Sequence, residues 1–119
     1  MSDKEMQQHA VVALVLDLMF ASRVRGVAPE AAVVRAGEAL VEAVGPGTRL
    51  VLVDLQAPGA LEALQSLAAG ARASDARVVA WGPHVMEDVL SAARETGAEV
   101  MPRGAFVKAL PDLVAEVSG

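Results

Sequence analysis

Short apolar runs that stop at an acidic residue, a glycine or a proline recur along this chain. The first, Val11 to Leu16, is too short for a buried helix and is typical of a strand covered on both faces. Four more runs of this kind cover Ala32 to Val34, Arg49 to Val53, Arg77 to Trp81 and Ala98 to Met101. The pattern therefore predicts five buried strands.

The intervals between these runs carry apolar residues at the spacing of one helix face. Leu61, Leu64 and Leu67 form such a face in the third interval, and the first helix is predicted over roughly Leu18 to Val27. Strands that alternate with helices favour an α/β protein with a doubly wound parallel sheet. Its helices cover both sheet faces in three layers, αβα.

The length of 119 residues fits one domain. We expect residues 10–119 to form that domain and the polar residues 1–9 to form a flexible tail. The beginning of the sequence lacks the basic and apolar segments of a secretory signal, and no apolar run approaches the ~20 residues of a membrane span. These features predict a cytoplasmic protein that does not associate with membranes.

Composition and charge narrow the classes of partner. The formal net charge of −5 argues against binding to nucleic acid. The chain has no cysteine, which removes disulfides and thiolate metal sites. Hydrophobic residues make up 54% of the chain and charged residues only 21%. A small domain of this kind does not hide all its apolar surface, so we expect it to bind a protein partner or a second copy of itself.

Candidate functional residues follow the predicted strands, because the crevice of an open parallel sheet lies beyond the carboxyl ends of its strands. Asp17 follows the first run and Asp54 the third. The fourth run ends in Trp81 and Gly82, and the fifth in Met101 and Pro102. Strand-end aspartates also have a simpler interpretation, in which they cap the helices that follow.

The sequence DLQAPG at residues 54–59 resembles the phosphoacceptor loop of CheY-like receiver domains, which belong to two-component response regulators. In that loop, an aspartate that ends the third strand precedes a proline by four residues. Asp17 and Arg23 resemble the first acid of the family's acidic pair and the basic residue of its first helix. Pro102 resembles the proline after the family's active-site lysine. The resemblance covers about residues 10–117 and implies a flavodoxin-like fold with strand order 2-1-3-4-5.

The resemblance also implies a phosphorylation site with five functional positions. Asp54 would accept the phosphoryl group, and Mg²⁺ would be held by the acidic pair and Asp54. A hydroxyl at the end of the fourth strand and a lysine before Pro102 would contact the phosphoryl group. This sequence departs from that pattern at three positions: Leu18 replaces the second acid, Trp81 or Gly82 replaces the hydroxyl, and Met101 replaces the lysine. Trp81 either fills the hydroxyl position or completes the core.

These departures predict a degenerate receiver (a pseudo-receiver): a stand-alone signalling module that acts by protein–protein interaction, without efficient phosphorylation, catalytic residues or a cofactor. The alternative is a working phosphoacceptor in a phosphorelay, in which Asp17 and Asp54 bind Mg²⁺ weakly and Arg103 or Lys108 replaces the lysine. A small-molecule-binding or catalytic flavodoxin-like protein is a third hypothesis. By resemblance, a partner would use the face of the fourth helix, fifth strand and fifth helix, including Met86, Glu87 and Ala105 to Lys108.

Asp17 and Asp54 are predicted to lie close together, and this has a consequence for the stability of the fold. Two carboxylates close together repel, so at least one of them needs a raised pKa, solvent or an arginine partner. We therefore expect Asp54→Asn to leave the fold intact and, if the two acids are close, to stabilise it by roughly 0.5–1 kcal/mol.

Overall fold

Strands and helices alternate along the chain in a computed structural model that describes residues 9–70 and 75–118. The elements are β1 (Val11–Leu14), α1 (Leu18–Val27), β2 (Ala32–Val34), α2 (Gly37–Ala43), β3 (Leu50–Asp54), α3 (Ala60–Ala68), β4 (Arg77–Gly82), α4 (Glu87–Glu95), β5 (Glu99–Pro102) and α5 (Arg103–Ser118). Of the predicted tail, only His9 lies among the described residues, so the tail and the boundary at residue 10 stay predictions.

All five strands are parallel, in the order β2-β1-β3-β4-β5. Leu14 of β1 pairs with Val34 on one side and with Val53 on the other. Asp54 pairs with Trp81 at the end of β4. The predicted fold class and strand order are confirmed. The ends of the strands and the loops that follow them form one edge of the molecule, which we call the carboxyl edge.

Two apolar layers enclose the sheet. Alternate strand residues such as Ala13 and Leu52 pack with α1 and α5, whereas their neighbours Val12 and Val53 pack with α2, α3 and α4. Every residue of β1 and β3 is buried. This double coverage explains why these strands are continuously apolar rather than alternating. Among the helices of the described residues, none is long and apolar enough to cross a membrane.

The first strand is shorter than predicted. β1 ends at Leu14 rather than at Leu16, although the Val15 amide still donates to the Val34 carbonyl over 3.1 Å. The Leu16 amide instead donates to the Asp54 carboxylate, and the Leu16 carbonyl accepts from Arg35. The backbone therefore leaves the sheet before the apolar run is over, and Leu16 is left 40% exposed.

The loop between β3 and α3 lies directly against the start of α2. The Gly37 amide donates to the Pro58 carbonyl over 2.9 Å. A Cβ atom at Gly37 would lie 2.1 Å from the Gly59 carbonyl oxygen, and Gly59 itself has a φ of +74°. Only glycine allows this approach at residue 37. The contact holds the loop that follows Asp54 at a fixed distance from α2.

Candidate functional site

Asp54 ends β3 and is 6% exposed. Its Oδ1 accepts a hydrogen bond from the Gln56 amide over 2.9 Å, and its Oδ2 accepts one from the Leu16 amide over 3.3 Å. The first bond closes a turn in its own loop. The second crosses to the loop after β1. Asp54 therefore joins the ends of two neighbouring strands through their backbone.

Asp17 caps α1. Its Oδ1 accepts from the Met19 amide over 2.7 Å, and its Oδ2 accepts from Nη2 of Arg103 over 3.2 Å. The Met19 amide first, and Arg103 in addition, hold the pKa of the Asp17 carboxyl below its ordinary value. The simpler interpretation of this residue, a helix cap, is confirmed. Arg103 is thus an arginine partner of the kind expected for one of the two acids Asp17 and Asp54.

Arg103 begins α5, immediately after β5. Its guanidinium carbon lies 4.4 Å from the centre of the Phe20 ring, a cation–π distance. Phe20 thus supports the guanidinium beneath its bond to Asp17. Of the two candidate replacements for the lysine, Arg103 lies at the carboxyl edge and binds Asp17. Lys108 is exposed more than one turn further along α5.

Trp81 belongs to the core rather than to the site. It is 2% exposed and stacks on Phe106, with ring centres 3.9 Å apart and planes 8° from parallel. Phe20 packs against both rings at 5.7 and 6.0 Å. Gly82 follows on the opposite sheet face, where a Cβ would contact Leu55 and Leu90 at 3.4 and 3.5 Å. The hydroxyl position at the end of β4 therefore offers no polar side chain.

Met101 and Pro102 pair with Trp81 and Gly82 across the last two strands. Met101 is partly buried and packs against the apolar layer of α1 and α5. A thioether in this place has no positive charge for a phosphoryl group. The structure brings Trp81, Gly82, Met101 and Pro102, which stand at and next to the hydroxyl and lysine positions, together at the ends of β4 and β5 without a polar or charged side chain among them.

The acids at this edge are poorly suited to a Mg²⁺ ion, which the fold family implies. Magnesium prefers carboxylate and water oxygens in octahedral geometry. Each carboxylate oxygen of Asp17 and Asp54 already accepts a hydrogen bond, one of them from the cation Arg103. Leu18, in place of the second acid, is 69% exposed. Among the described residues there is no group of three or more side chains suited to a metal ion.

Exposed apolar side chains follow the same strand ends as these acids, and the sequence analysis missed them. Leu18 is 69% exposed, Met19 is 74% exposed and Val85, in the loop after β4, is 88% exposed. Leu16 adds a fourth partly exposed side chain. The signal in the sequence is the pair Leu18-Met19 directly after the cap residue, where a first helical turn is usually polar.

Comparison with solved structures identifies the fold. The chain aligns with NtrX from Brucella abortus in complex with ADP at a TM-score of 0.70 and 18% identity, over 92% of this chain and 26% of that one. It aligns with a chain of the co-crystal structure of Ypd1 and the Ssk1 receiver domain from Saccharomyces cerevisiae at 0.70 and 15% identity, over 92% and 88%. The response regulatory domain of mrkE from Klebsiella pneumoniae gives 0.66 and 9%, over 91% and 93%.

The chain has the fold of CheY-like receiver domains. It spans about a quarter of the length of the NtrX chain that it matches. No protein-family model matches the sequence, and no curated protein does either. The resemblance stated from the sequence is confirmed at the level of the fold.

Proposed function

We propose that this chain is a receiver-like signalling module that acts by contact with a protein and does not use phosphoryl transfer. The observation that carries the proposal is the bonding of Asp54. Its carboxylate is buried and both of its oxygens accept backbone hydrogen bonds. Each oxygen keeps a second lone pair, so these bonds do not block attack by themselves. Burial and two backbone hydrogen bonds hold the Asp54 side chain between the ends of two strands, which favours a structural role for Asp54.

The charges around Asp54 support the same conclusion. Phosphoryl transfer depends on positioning and on cations that offset the developing negative charge. The lysine position holds Met101, the hydroxyl position holds Trp81 or Gly82, and the cation Arg103 is bound to Asp17. The proposal therefore assigns no catalytic reaction and no Mg²⁺ to the chain. A cytoplasmic location stays a prediction from the sequence.

Protein contact is the remaining way for such a module to signal. One structural neighbour comes from a complex of a histidine phosphotransfer protein with a receiver domain, so the fold is compatible with a protein partner. The apolar side chains exposed at the carboxyl edge supply surface that such contacts bury.

Thermal unfolding with beryllofluoride and Mg²⁺ tests the proposal, because a ligand that binds only the folded state raises its stability. Wild type and Asp54→Asn are melted with Mg²⁺ alone and with both reagents. We expect the same small shifts in both proteins. A large rise in the wild-type melting temperature that Asp54→Asn abolishes would instead support the working phosphoacceptor.

A further inference from the structure

The exposed apolar side chains of this protein are concentrated at one edge. The described residues include five large hydrophobic side chains that are exposed, namely Leu16, Leu18, Met19, Val27 and Val85. All but Val27 belong to the loops and first helical turns at the carboxyl edge. A small domain rarely exposes a group of apolar side chains in one region unless a partner covers it.

The face that the family resemblance suggests for a partner lacks such a group of exposed apolar side chains. Along α4, β5 and α5, Met86 and Val107 are partly buried, whereas Glu87, Ala105 and Lys108 are exposed. Of the exposed large hydrophobic side chains of the described residues, only Val85, which precedes Met86, borders that face. The apolar surface available for association therefore lies at the carboxyl edge.

Charge divides the same edge into two halves. The helices α2, α3 and α4, on one sheet face, each have acidic residues in their first turn: Glu38, Glu62, and Glu87 with Asp88. The helices α1 and α5, on the other face, have none in their described first turns. Arg103 begins α5 at this edge, where it is paired with Asp17, and the exposed Arg23 and Lys108 follow in the second turns of α1 and α5. An apolar centre thus separates an acidic half from a basic half.

We propose that the carboxyl edge binds a second copy of this chain around a two-fold axis. A two-fold axis that runs across the width of the sheet brings the basic half of one copy against the acidic half of the other, twice, with the apolar side chains between them. The surface is thereby complementary to itself in charge. This inference rests on the proposed function and deepens it, because it names both the partner and the surface. The contact would also cover the edge at which Asp54 lies.

Sedimentation velocity of the full chain, over a series up to about 100 µM, tests the association itself. The wild type is expected to dimerise. Met19→Glu is expected to weaken the dimer by about tenfold or more, because it places a charge in the apolar centre. Val27→Glu is the matched control, since Val27 ends α1 and lies at the opposite end of that helix. It should leave the dimer unchanged, and circular dichroism checks that both variants fold.

Charge reversal tests the two-fold arrangement. One variant carries Arg23→Glu and Lys108→Glu, and the other carries Glu87→Lys and Asp88→Lys. In each variant alone, like charges meet at both places where the basic half of one copy contacts the acidic half of the other, so each variant is expected to be monomeric. In an equimolar mixture both junctions regain opposite charges, so a heterodimer is expected.

Two results would overturn the inference. If the wild type is monomeric throughout the series, no second copy binds, and the apolar edge is left for a different protein. If the wild type dimerises but the mixed variants do not, the copies associate in another arrangement. Neither result touches the proposed absence of phosphoryl transfer, which fails only if Asp54 proves to bind beryllofluoride or to become phosphorylated.

Discussion

Replacing Asp54 by asparagine tests whether this acid is structural. The variant keeps the size of the side chain and removes its charge. The Asn oxygen can still accept from the Gln56 amide, because asparagine forms the same turn as aspartate. Its NH₂ group then faces the Leu16 amide, which is a donor that Asp54 now satisfies over 3.3 Å. A fully buried donor that loses its acceptor costs about 1–3 kcal/mol, and this partly buried one lies in the lower part of that range.

Relief of repulsion between the two acids works in the opposite direction, but it is small. Asp17 is 43% exposed and is paired with Arg103 over 3.2 Å, so its charge is both screened and compensated. We therefore expect Asp54→Asn to lower the free energy of unfolding by about 1–2 kcal/mol. The stabilisation expected from the sequence alone is reversed, because that reasoning left out the backbone bonds of Asp54.

Thermal and urea unfolding measure this difference, and Asp17→Asn is the matched control. It removes the same charge at the same edge, but asparagine is an equally good helix cap and the lost ion pair is exposed. We expect its effect to stay within about 0.5 kcal/mol. An Asp54→Asn protein that is as stable as the wild type, or more stable, would refute the structural role of Asp54.

Three further changes test contacts that stabilise the fold, including the ion pair in which Arg77 donates to Glu99 over 2.6 Å at the other end of the strands. Gly37→Ala should lower the free energy of unfolding by about 3 kcal/mol or more, because its Cβ meets the Gly59 carbonyl. Gly26→Ala, which has open space around it, should raise the free energy of unfolding by about 0.5 kcal/mol. Equal denaturation midpoints for the two variants would contradict this. Arg77 lowers the pKa of Glu99, so that pair stabilises the fold above the ordinary pKa and is lost as the pH falls through the lowered one. Wild type should therefore lose more stability than Glu99→Gln between about pH 7 and pH 3, and parallel pH profiles would refute it. Phe106→Ala should cost about 3–5 kcal/mol and shift the fluorescence of the single tryptophan to longer wavelength, and unchanged emission would argue against the ring stack.

The sheet and its order could be predicted because burial on both faces leaves a direct mark on the sequence. Val11 to Leu14 and Leu50 to Val53 are apolar at every position, since each side chain meets helices on one face or the other. The ends of the strands are less visible. β1 stops early because of a bond between Leu16 and Asp54, which are 38 residues apart, and no local pattern reveals such a bond.

The candidate site could be placed from the sequence, but its bonding could not. Strand ends located Asp17, Asp54 and Met101 at one edge, as parallel pairing requires. The partner of Asp17 is Arg103, 86 residues away, and it was one of two candidates for a different role. Trp81 had two open interpretations, and only the stack on Phe106 assigns it to the core. The exposure of Leu18 and Met19 depends on how α1 docks, which the helical spacing alone does not give.

Intact-mass spectrometry after incubation with acetyl phosphate and Mg²⁺ is the most direct measurement on the central claim, that Asp54 is a structural residue and not a phosphoacceptor. A receiver domain known to accept phosphoryl groups from acetyl phosphate is the positive control in the same experiment. We expect this chain to keep its unmodified mass while the control gains a phosphoryl group. A phosphorylated species in the wild type that is absent from Asp54→Asn would contradict the claim.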